Sequence, residues 1–230
     1  SSSASGPSAL RMETWLWEGL AKREFLQRLD SQRDVVFEAL EAAYGDAYYA
    51  KLLYLKASNY ALARYHYSQS HSALVSGPVS LMIDAANSCQ LRCPGCVHSE
   101  NARFTEPFLW PPGVMKSTAF VHLLERYGPT ATNTVLYNYG EPLLNKKLPD
   151  FILAARQLGL TTNLSTNLSI DFDTERFVSS QPDHVILSID GITQETYGRY
   201  RKRGDLDLVL RNVRALVKAK RDLGLNRPIL

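Results

Sequence analysis

The stretch Cys89-Gln90-Leu91-Arg92-Cys93-Pro94-Gly95-Cys96 contains all three cysteines of the 230-residue chain. Their spacing is Cys-x3-Cys-x2-Cys, which puts three sulfur ligands on one short loop. A soft metal centre needs several thiolates that converge without strain. We therefore interpret Cys89, Cys93 and Cys96 as the ligands of a [4Fe-4S] cluster. One iron of that cluster would have no protein ligand and would be open to a small molecule.

A structural zinc site is the alternative interpretation of the same loop. His98 lies shortly after Cys96, and zinc commonly takes three sulfurs and one imidazole nitrogen. The ligands would then be Cys89, Cys93, Cys96 and His98, and the chain would be a structural or interaction protein. An odd number of clustered cysteines argues against a disulfide framework in either case. Free thiols of this kind fit a reducing cytoplasm.

The composition excludes several classes of protein. Hydrophobic residues make up 45% of the chain and charged residues 21%, as in an ordinary globular protein. The net charge of +3 gives no electrostatic reason to expect nucleic-acid binding. No apolar run approaches the length of a membrane span, and Ser1 to Ala9 lacks the order of a signal peptide. We expect a cytoplasmic protein that binds neither nucleic acid nor membrane.

The first part of the chain is predicted to be helical. Apolar residues recur at helical spacing from residue 11 to about residue 75, and Ser76-Gly77-Pro78 then interrupts the pattern. We therefore expect a flexible leader at 1–10, an all-helical region at 11–75, and a second domain at 76–230.

Strands and helices alternate after this boundary. Strands are predicted at Val79–Ile83, Thr134–Asn138, Thr161–Ser165 and His184–Ile189, with the start of a fifth at Arg227–Leu230. Helices are predicted at Ser117–Tyr127, Leu148–Leu158, Thr174–Ser179, Thr193–Tyr200 and Leu206–Arg221. A long loop is expected at 97–116. This alternation predicts an α/β fold with a parallel sheet and right-handed crossovers.

Ligands of such folds bind at the carboxyl ends of the strands. The cysteine loop follows the first predicted strand, and Gly140-Glu141 follows the second. Thr166-Asn167 follows the third, and Ser188 and Asp190 lie at the end of the fourth. Four separate segments are therefore expected to meet at one edge of the sheet.

With these residues the chain resembles the radical S-adenosylmethionine (SAM) superfamily over about residues 78 to 230. The cysteine spacing is the signature of that superfamily, and Tyr139-Gly140-Glu141-Pro142 resembles its Gly-Gly-Glu-Pro motif. Leu187–Gly191 and Thr196–Arg201 resemble the subgroup with SPASM or twitch extensions. The resemblance implies a (β/α) partial TIM-like barrel after the helical region. It also implies that the barrel is incomplete and that its C-terminal part is absent from this chain.

The resemblance implies which residues contact the cofactor. They are Gly140, Glu141, Pro142, Thr166, Asn167, Ser188 and Arg201. Glu141 would accept hydrogen bonds from the ammonium group of SAM, and Arg201 would bind its carboxylate. Ser188 and Asn167 are suited to ribose hydroxyls. Asp190 and Tyr139 are candidates for a catalytic role, which the resemblance does not assign.

The implied activity is reductive cleavage of SAM at the [4Fe-4S] cluster. The resulting 5′-deoxyadenosyl radical would abstract a hydrogen atom from a peptide or a small metabolite. An external one-electron reductant of the flavodoxin or ferredoxin type is implied as a partner. Oxidation, epimerisation, lyase chemistry and cross-linking are all compatible with the sequence.

Overall fold

The structure of the chain is a computed structural model, and it describes residue 42 together with residues 45–99 and 111–230. The predicted leader, most of the first helical segments, and residues 100–110 of the predicted loop lie outside the described residues. The described chain forms two units. One contains the residues up to Ser80 with Leu124–Thr132 and Leu158–Leu160, and the other contains the remaining segments.

The first unit is built on a long helix, α1, at Ala47–Ser68. Asp46 caps its N-terminus, because the carboxylate accepts hydrogen bonds from the backbone N–H groups of Tyr48 (2.8 Å) and Tyr49 (3.2 Å). Small and apolar side chains of α1 are buried, among them Ala50, Leu52, Ala57 and Ala61.

Lys56 lies on the buried side of α1 and is only 4% exposed. Its Nζ donates hydrogen bonds to the backbone oxygens of Gly128 (2.6 Å) and Ala131. These carbonyls follow helix α2 (Ser117–Tyr127), and carbonyls at a helix C-terminus lack partners within the helix. Burial lowers the pKa of Lys56 from 10.5 to about 8.

Replacement of Lys56 by methionine tests this burial through the pH dependence of stability. Between about pH 8 and pH 10.5 the folded protein binds fewer protons at Lys56 than the unfolded chain does. The free energy of unfolding of the wild type, relative to Lys56→Met, should therefore be constant below about pH 8. It should then rise by up to about 3 kcal/mol as the pH approaches 10.5.

Urea unfolding at a series of pH values measures this difference. Lys51→Met removes an exposed lysine from the same helix and serves as the control. Equal pH dependence in Lys56→Met and the wild type would contradict the burial of a titrating ammonium group.

The second unit contains a four-stranded sheet with the strands in chain order. The strands are β1 at Ser80–Met82, β2 at Asn133–Val135, β3 at Thr161–Thr166 and β4 at His184–Leu187. β3 pairs in parallel with β2 and with β4. An isolated parallel bridge between His184 and Ile229 extends the sheet beyond β4. The predicted α/β class with an open, partial barrel is therefore confirmed.

Helices follow the strands of this sheet. After α2 come a 3-10 helix at Pro142–Leu144, α3 at Leu148–Gln157, α4 at Thr174–Ser179, α5 at Gln194–Tyr200 and α6 at Leu206–Asp222. Phe120 stacks on Phe151 with ring centroids 4.1 Å apart, and both rings are buried. None of the helices among the described residues has both the length and the apolar character to cross a membrane.

The second strand is shorter than predicted. β2 ends at Val135 instead of Asn138, although Leu136 still donates a backbone hydrogen bond to Asn163 (2.9 Å). The chain then leaves the sheet, because the backbone N–H of Tyr139 turns to the side chain of Asp84 (2.9 Å). This early departure brings Gly140 and Glu141 beside the segment that follows β1.

Candidate functional site

The loop after β1 presents three free cysteines, Cys89, Cys93 and Cys96. Arg92 organises this loop from inside, because its Nη1 donates hydrogen bonds to the backbone oxygens of Cys89 (2.7 Å) and Leu91 (2.8 Å). Burial raises the pKa of the Cys89 thiol to about 11. A metal that binds this sulfur must therefore displace its proton.

The three cysteines line one cavity of about 240 Å³. The segments at the carboxyl ends of β2, β3 and β4 contribute to its wall, as expected for a parallel sheet, and the end of α5 contributes the remainder. The predicted site residues that line this cavity with the cysteines are Tyr139, Gly140, Glu141, Thr166, Asn167, Ser188 and Arg201. The structure thus brings together residues from five segments of the chain.

Glu141 is buried at the centre of this wall, with 2% of its surface exposed. Its Oε1 accepts hydrogen bonds from Thr166 Oγ1 (2.6 Å) and from the backbone N–H of Leu143 (3.1 Å). Its Oε2 accepts from the backbone N–H of Asn167 (2.8 Å). Burial raises the pKa of this carboxyl, while the three hydrogen bonds oppose the shift. A carboxylate can accept about four hydrogen bonds, so some accepting capacity remains for a ligand.

Position 140 must be glycine, because neighbouring backbone atoms leave no room for a side chain. A Cβ atom at this position would lie 1.8 Å from the backbone oxygen of Ala86 and 2.9 Å from that of Ser88. The neighbouring backbone N–H of Glu141 donates to the same Ser88 oxygen (2.8 Å). The absence of a side chain therefore lets the turn after β2 lie directly on the start of the cysteine loop.

Asn167 connects the end of β3 to the cysteine loop. Its side-chain oxygen accepts hydrogen bonds from Gln90 Nε2 (2.8 Å) and from the backbone N–H of Ser169 (2.9 Å). Its Nδ2 donates to Cys89 Sγ at 3.6 Å. Gln90 also donates to the backbone oxygen of Ser169 (2.9 Å), which fixes its own amide.

Arg201 contacts the cysteine loop from the end of α5. Its Nε forms an ion pair with Asp190, and its Nη1 donates to Cys93 Sγ at 3.8 Å. The Arg201 side chain is 18% exposed and that of Asp190 is 43% exposed. Asp190 therefore contacts the site through Arg201.

The remaining predicted residues have clear positions. Ser188 Oγ lies 3.1 Å from Ser165 Oγ on the neighbouring strand. Pro142 is buried and begins the 3-10 helix behind Glu141. The backbone oxygen of Tyr139 accepts a hydrogen bond from His98 Nε2 (2.8 Å), so this imidazole nitrogen is engaged by the backbone.

The donor set of this loop, three free cysteines within eight residues, is one that can hold an iron-sulfur cluster. Cysteines that each bind a different iron of a cluster need not converge on one point. The two N–H donors to cysteine sulfurs are also typical of iron-sulfur sites.

Sequence reasoning missed several residues of this site. Leu91, Tyr137, Asn138, Ser165 and Tyr200 also line the cavity, and Gln90, Arg92 and Asp84 hold its loops. The position of Gln90 and Arg92 between the cysteines was the available signal. Leu91 lies between the same cysteines. Proximity in sequence to predicted site residues was the signal for Tyr137, Asn138, Ser165 and Tyr200, and no signal indicated Asp84.

The comparisons with known proteins agree with this geometry. The family model described as the Radical SAM superfamily matches residues 84–229, which is well over half of the chain. The chain belongs to the radical SAM superfamily, as predicted. Membership implies SAM and an iron-sulfur cluster, and the three thiols and the polar cavity fit both.

Two characterised relatives match parts of this chain. PqqA peptide cyclase of Xanthomonas campestris pv. campestris (strain B100) is 31% identical over 94 residues, covering 40% of this chain and 23% of the relative. The S-adenosylmethionine-dependent nucleotide dehydratase of Lacinutrix mariniflava is 29% identical over 135 residues, covering 56% of this chain and 27% of the relative. The matches thus span about a quarter of each relative.

A solved structure supports the fold. Streptococcus suis SuiB bound to S-adenosylmethionine superimposes with a TM-score of 0.54 at 15% identity, and the match covers 85% of this chain and 42% of SuiB. This likeness shows a shared fold, and membership of the superfamily rests on the family model.

Replacement of Gly140 by alanine tests the close contact below the cavity. The added Cβ would overlap the backbone oxygen of Ala86, so the turn must shift. We expect a loss of at least about 2 kcal/mol in the free energy of unfolding, as for other overpacked sites. Gly113→Ala is the matched control, because its Cβ would meet only the backbone oxygen of Pro111 at 3.9 Å. Chemical denaturation that finds both variants equally stable would contradict the assigned role of Gly140.

Proposed function

We propose that this chain is the cofactor-binding part of a radical SAM enzyme of the SPASM or twitch-type subgroup, acting on a peptide. The observation that carries the proposal is the single cavity shared by Cys89, Cys93 and Cys96 with Glu141 and Arg201. The thiolates would hold a [4Fe-4S] cluster. When bound and reduced, the cluster and SAM supply a 5′-deoxyadenosyl radical that removes a hydrogen atom from the substrate.

The protein groups around the cavity match the polar groups of SAM. Glu141 offers a buried anionic acceptor to the ammonium group. Arg201 offers the carboxylate its Nη2, because its Nε and Nη1 already contact Asp190 and Cys93. The hydroxyl pair of Ser165 and Ser188 offers neutral hydrogen bonds to the ribose.

Three observations bear on the substrate and the subgroup. The similarity to PqqA peptide cyclase supports a peptide substrate. The similarity to a nucleotide dehydratase supports a small-metabolite substrate as the second candidate. The pattern of Leu187–Gly191 and Thr196–Arg201 supports the subgroup. A reductant of the flavodoxin or ferredoxin type would deliver the electron that the cluster needs.

Replacement of Cys93 by alanine tests the cluster. Anaerobic reconstitution of the wild type with iron and sulfide should give a brown protein that cleaves SAM under reduction. Cys93→Ala should lose the cluster absorbance and the cleavage, because it removes one of only three thiolates in the chain. Ser99→Ala, on the same loop, is the control. A colourless wild type with one bound zinc and no sulfide would contradict the proposed function.

Replacement of Arg201 by leucine tests the recognition of the SAM carboxylate. A lost hydrogen bond to a charged group costs about 1.5–3 kcal/mol, so SAM should bind about 10- to 100-fold more weakly. Arg199→Leu is the matched control, because Arg199 is 74% exposed and pairs with Glu195 on the same helix. Titration of the reconstituted proteins with SAM gives the affinities. Unchanged SAM affinity in Arg201→Leu would show that another group binds the carboxylate.

A further inference from the structure

Two of the three cysteine sulfurs receive a hydrogen bond from a side-chain N–H group. Asn167 Nδ2 donates to Cys89 Sγ at 3.6 Å, and Arg201 Nη1 donates to Cys93 Sγ at 3.8 Å. Both distances lie within the range of hydrogen bonds to sulfur. The two donors come from different segments, the end of β3 and the end of α5. They therefore contact the cysteine loop independently.

The orientation of the Asn167 amide follows from its backbone partner. A backbone N–H can only donate, so the atom that faces the N–H of Ser169 at 2.9 Å must be the side-chain oxygen. The NH₂ group must then face Cys89 Sγ. The hydrogen-bond network thus resolves the ambiguity that an asparagine amide normally carries.

Gln90 holds this arrangement in place. Its Nε2 faces the backbone oxygen of Ser169 at 2.9 Å, which can only accept, so this atom must be the nitrogen. The same Nε2 donates to the side-chain oxygen of Asn167 (2.8 Å). Asn167 is 6% exposed, and both ends of its amide are engaged by protein groups. Hydrogen bonds with Gln90 and Cys89 therefore hold the Asn167 amide against the cysteine loop.

Arg201 is held in a comparable way. The ion pair between its Nε and Asp190 fixes the plane of the guanidinium group, and Nη1 then points at Cys93 Sγ. The donor belongs to a positively charged guanidinium group, and the sulfur beside it becomes a thiolate when it binds iron. Such a hydrogen bond is stronger than one between neutral groups.

We propose that Asn167 and Arg201 raise the reduction potential of the cluster by donating N–H···S hydrogen bonds to Cys89 and Cys93. An electron added to the cluster increases the negative charge on its sulfur ligands, and N–H donors stabilise that charge. Gln90 and Asp190 are positioning residues that orient the two donors. Asn167 thus acts on the cysteine sulfur as well as lining the cavity. This inference rests on the proposed function, because it requires the cluster.

Replacement of Asn167 by aspartate gives the sharpest test. Aspartate keeps an oxygen toward Gln90 and Ser169 but replaces the N–H donor with a second oxygen beside Cys89. At the midpoint potential of the wild type, the ratio of reduced to oxidised cluster should fall about tenfold. That change corresponds to a shift of about 59 mV to more negative potential in a one-electron couple. Redox titration of the reconstituted protein without SAM, followed by electron paramagnetic resonance, measures it.

The controls separate this effect from charge and from folding. Asn163→Asp introduces the same charge on the same strand, where the Asn163 side chain faces His184 (3.1 Å), and should leave the ratio within about twofold of the wild type. Asn167→Ala removes the donor without adding charge and should shift the potential in the same direction. Arg201→Leu should also shift it to more negative values, while Arg199→Leu should not.

The outcomes distinguish this inference from the proposed function. If the wild type assembles a cluster and the Asn167 and Arg201 variants have the same reduction potential as the wild type, the inference is overturned. The proposed function then remains intact. A wild-type protein that assembles no iron-sulfur cluster overturns both. Shifts in the Asn167 and Arg201 variants alone, with the controls unchanged, establish the inference.

Discussion

The buried carboxylate of Glu141 is the constraint on which the candidate site depends. Burying a carboxylate without partners costs several kcal/mol, so its hydrogen-bond donors must be held in position. Thr166 Oγ1 and the backbone N–H of Asn167 supply two of them, which joins the segment after β2 to the end of β3. The backbone N–H of Glu141 binds Ser88, which joins the same segment to the cysteine loop. One residue therefore connects three walls of the cavity.

The sequence was sufficient to predict the larger features of this site. Alternating strands and helices predicted the parallel sheet, and a parallel sheet puts Cys89, Glu141, Asn167 and Ser188 at the same edge whatever the details of the loops. The cysteine spacing predicted the metal chemistry because three thiolates on one loop have few other uses. These predictions depend on periodicity and local spacing, which the sequence shows directly.

The contacts between the loops could not be predicted in this way. Gly140 was expected among the cofactor contacts, and the structure adds that the backbone of Ala86 occupies the space where its Cβ would lie. The hydrogen bond from Gln90 to Asn167 joins residues 77 positions apart. Such contacts depend on the exact path of two loops, and no period or motif records that path. The ion pair between Asp190 and Arg201 could not be predicted for the same reason, since both residues lie outside the strands.

In the proposals above, Arg201 affects both the binding of SAM and the reduction potential of the cluster. Its guanidinium group contacts Asp190 and a cysteine sulfur, and its remaining N–H groups are the ones proposed to bind the SAM carboxylate. A carboxylate bound there would compete for the positive charge that we propose stabilises the reduced cluster. Binding of SAM to Arg201 would then lower the reduction potential of the cluster. By thermodynamic linkage, reduction of the cluster would weaken the binding of SAM to Arg201 by the same free energy. The neutral amide of Asn167 stands outside this exchange, so its contribution to the potential would persist whether or not SAM is bound.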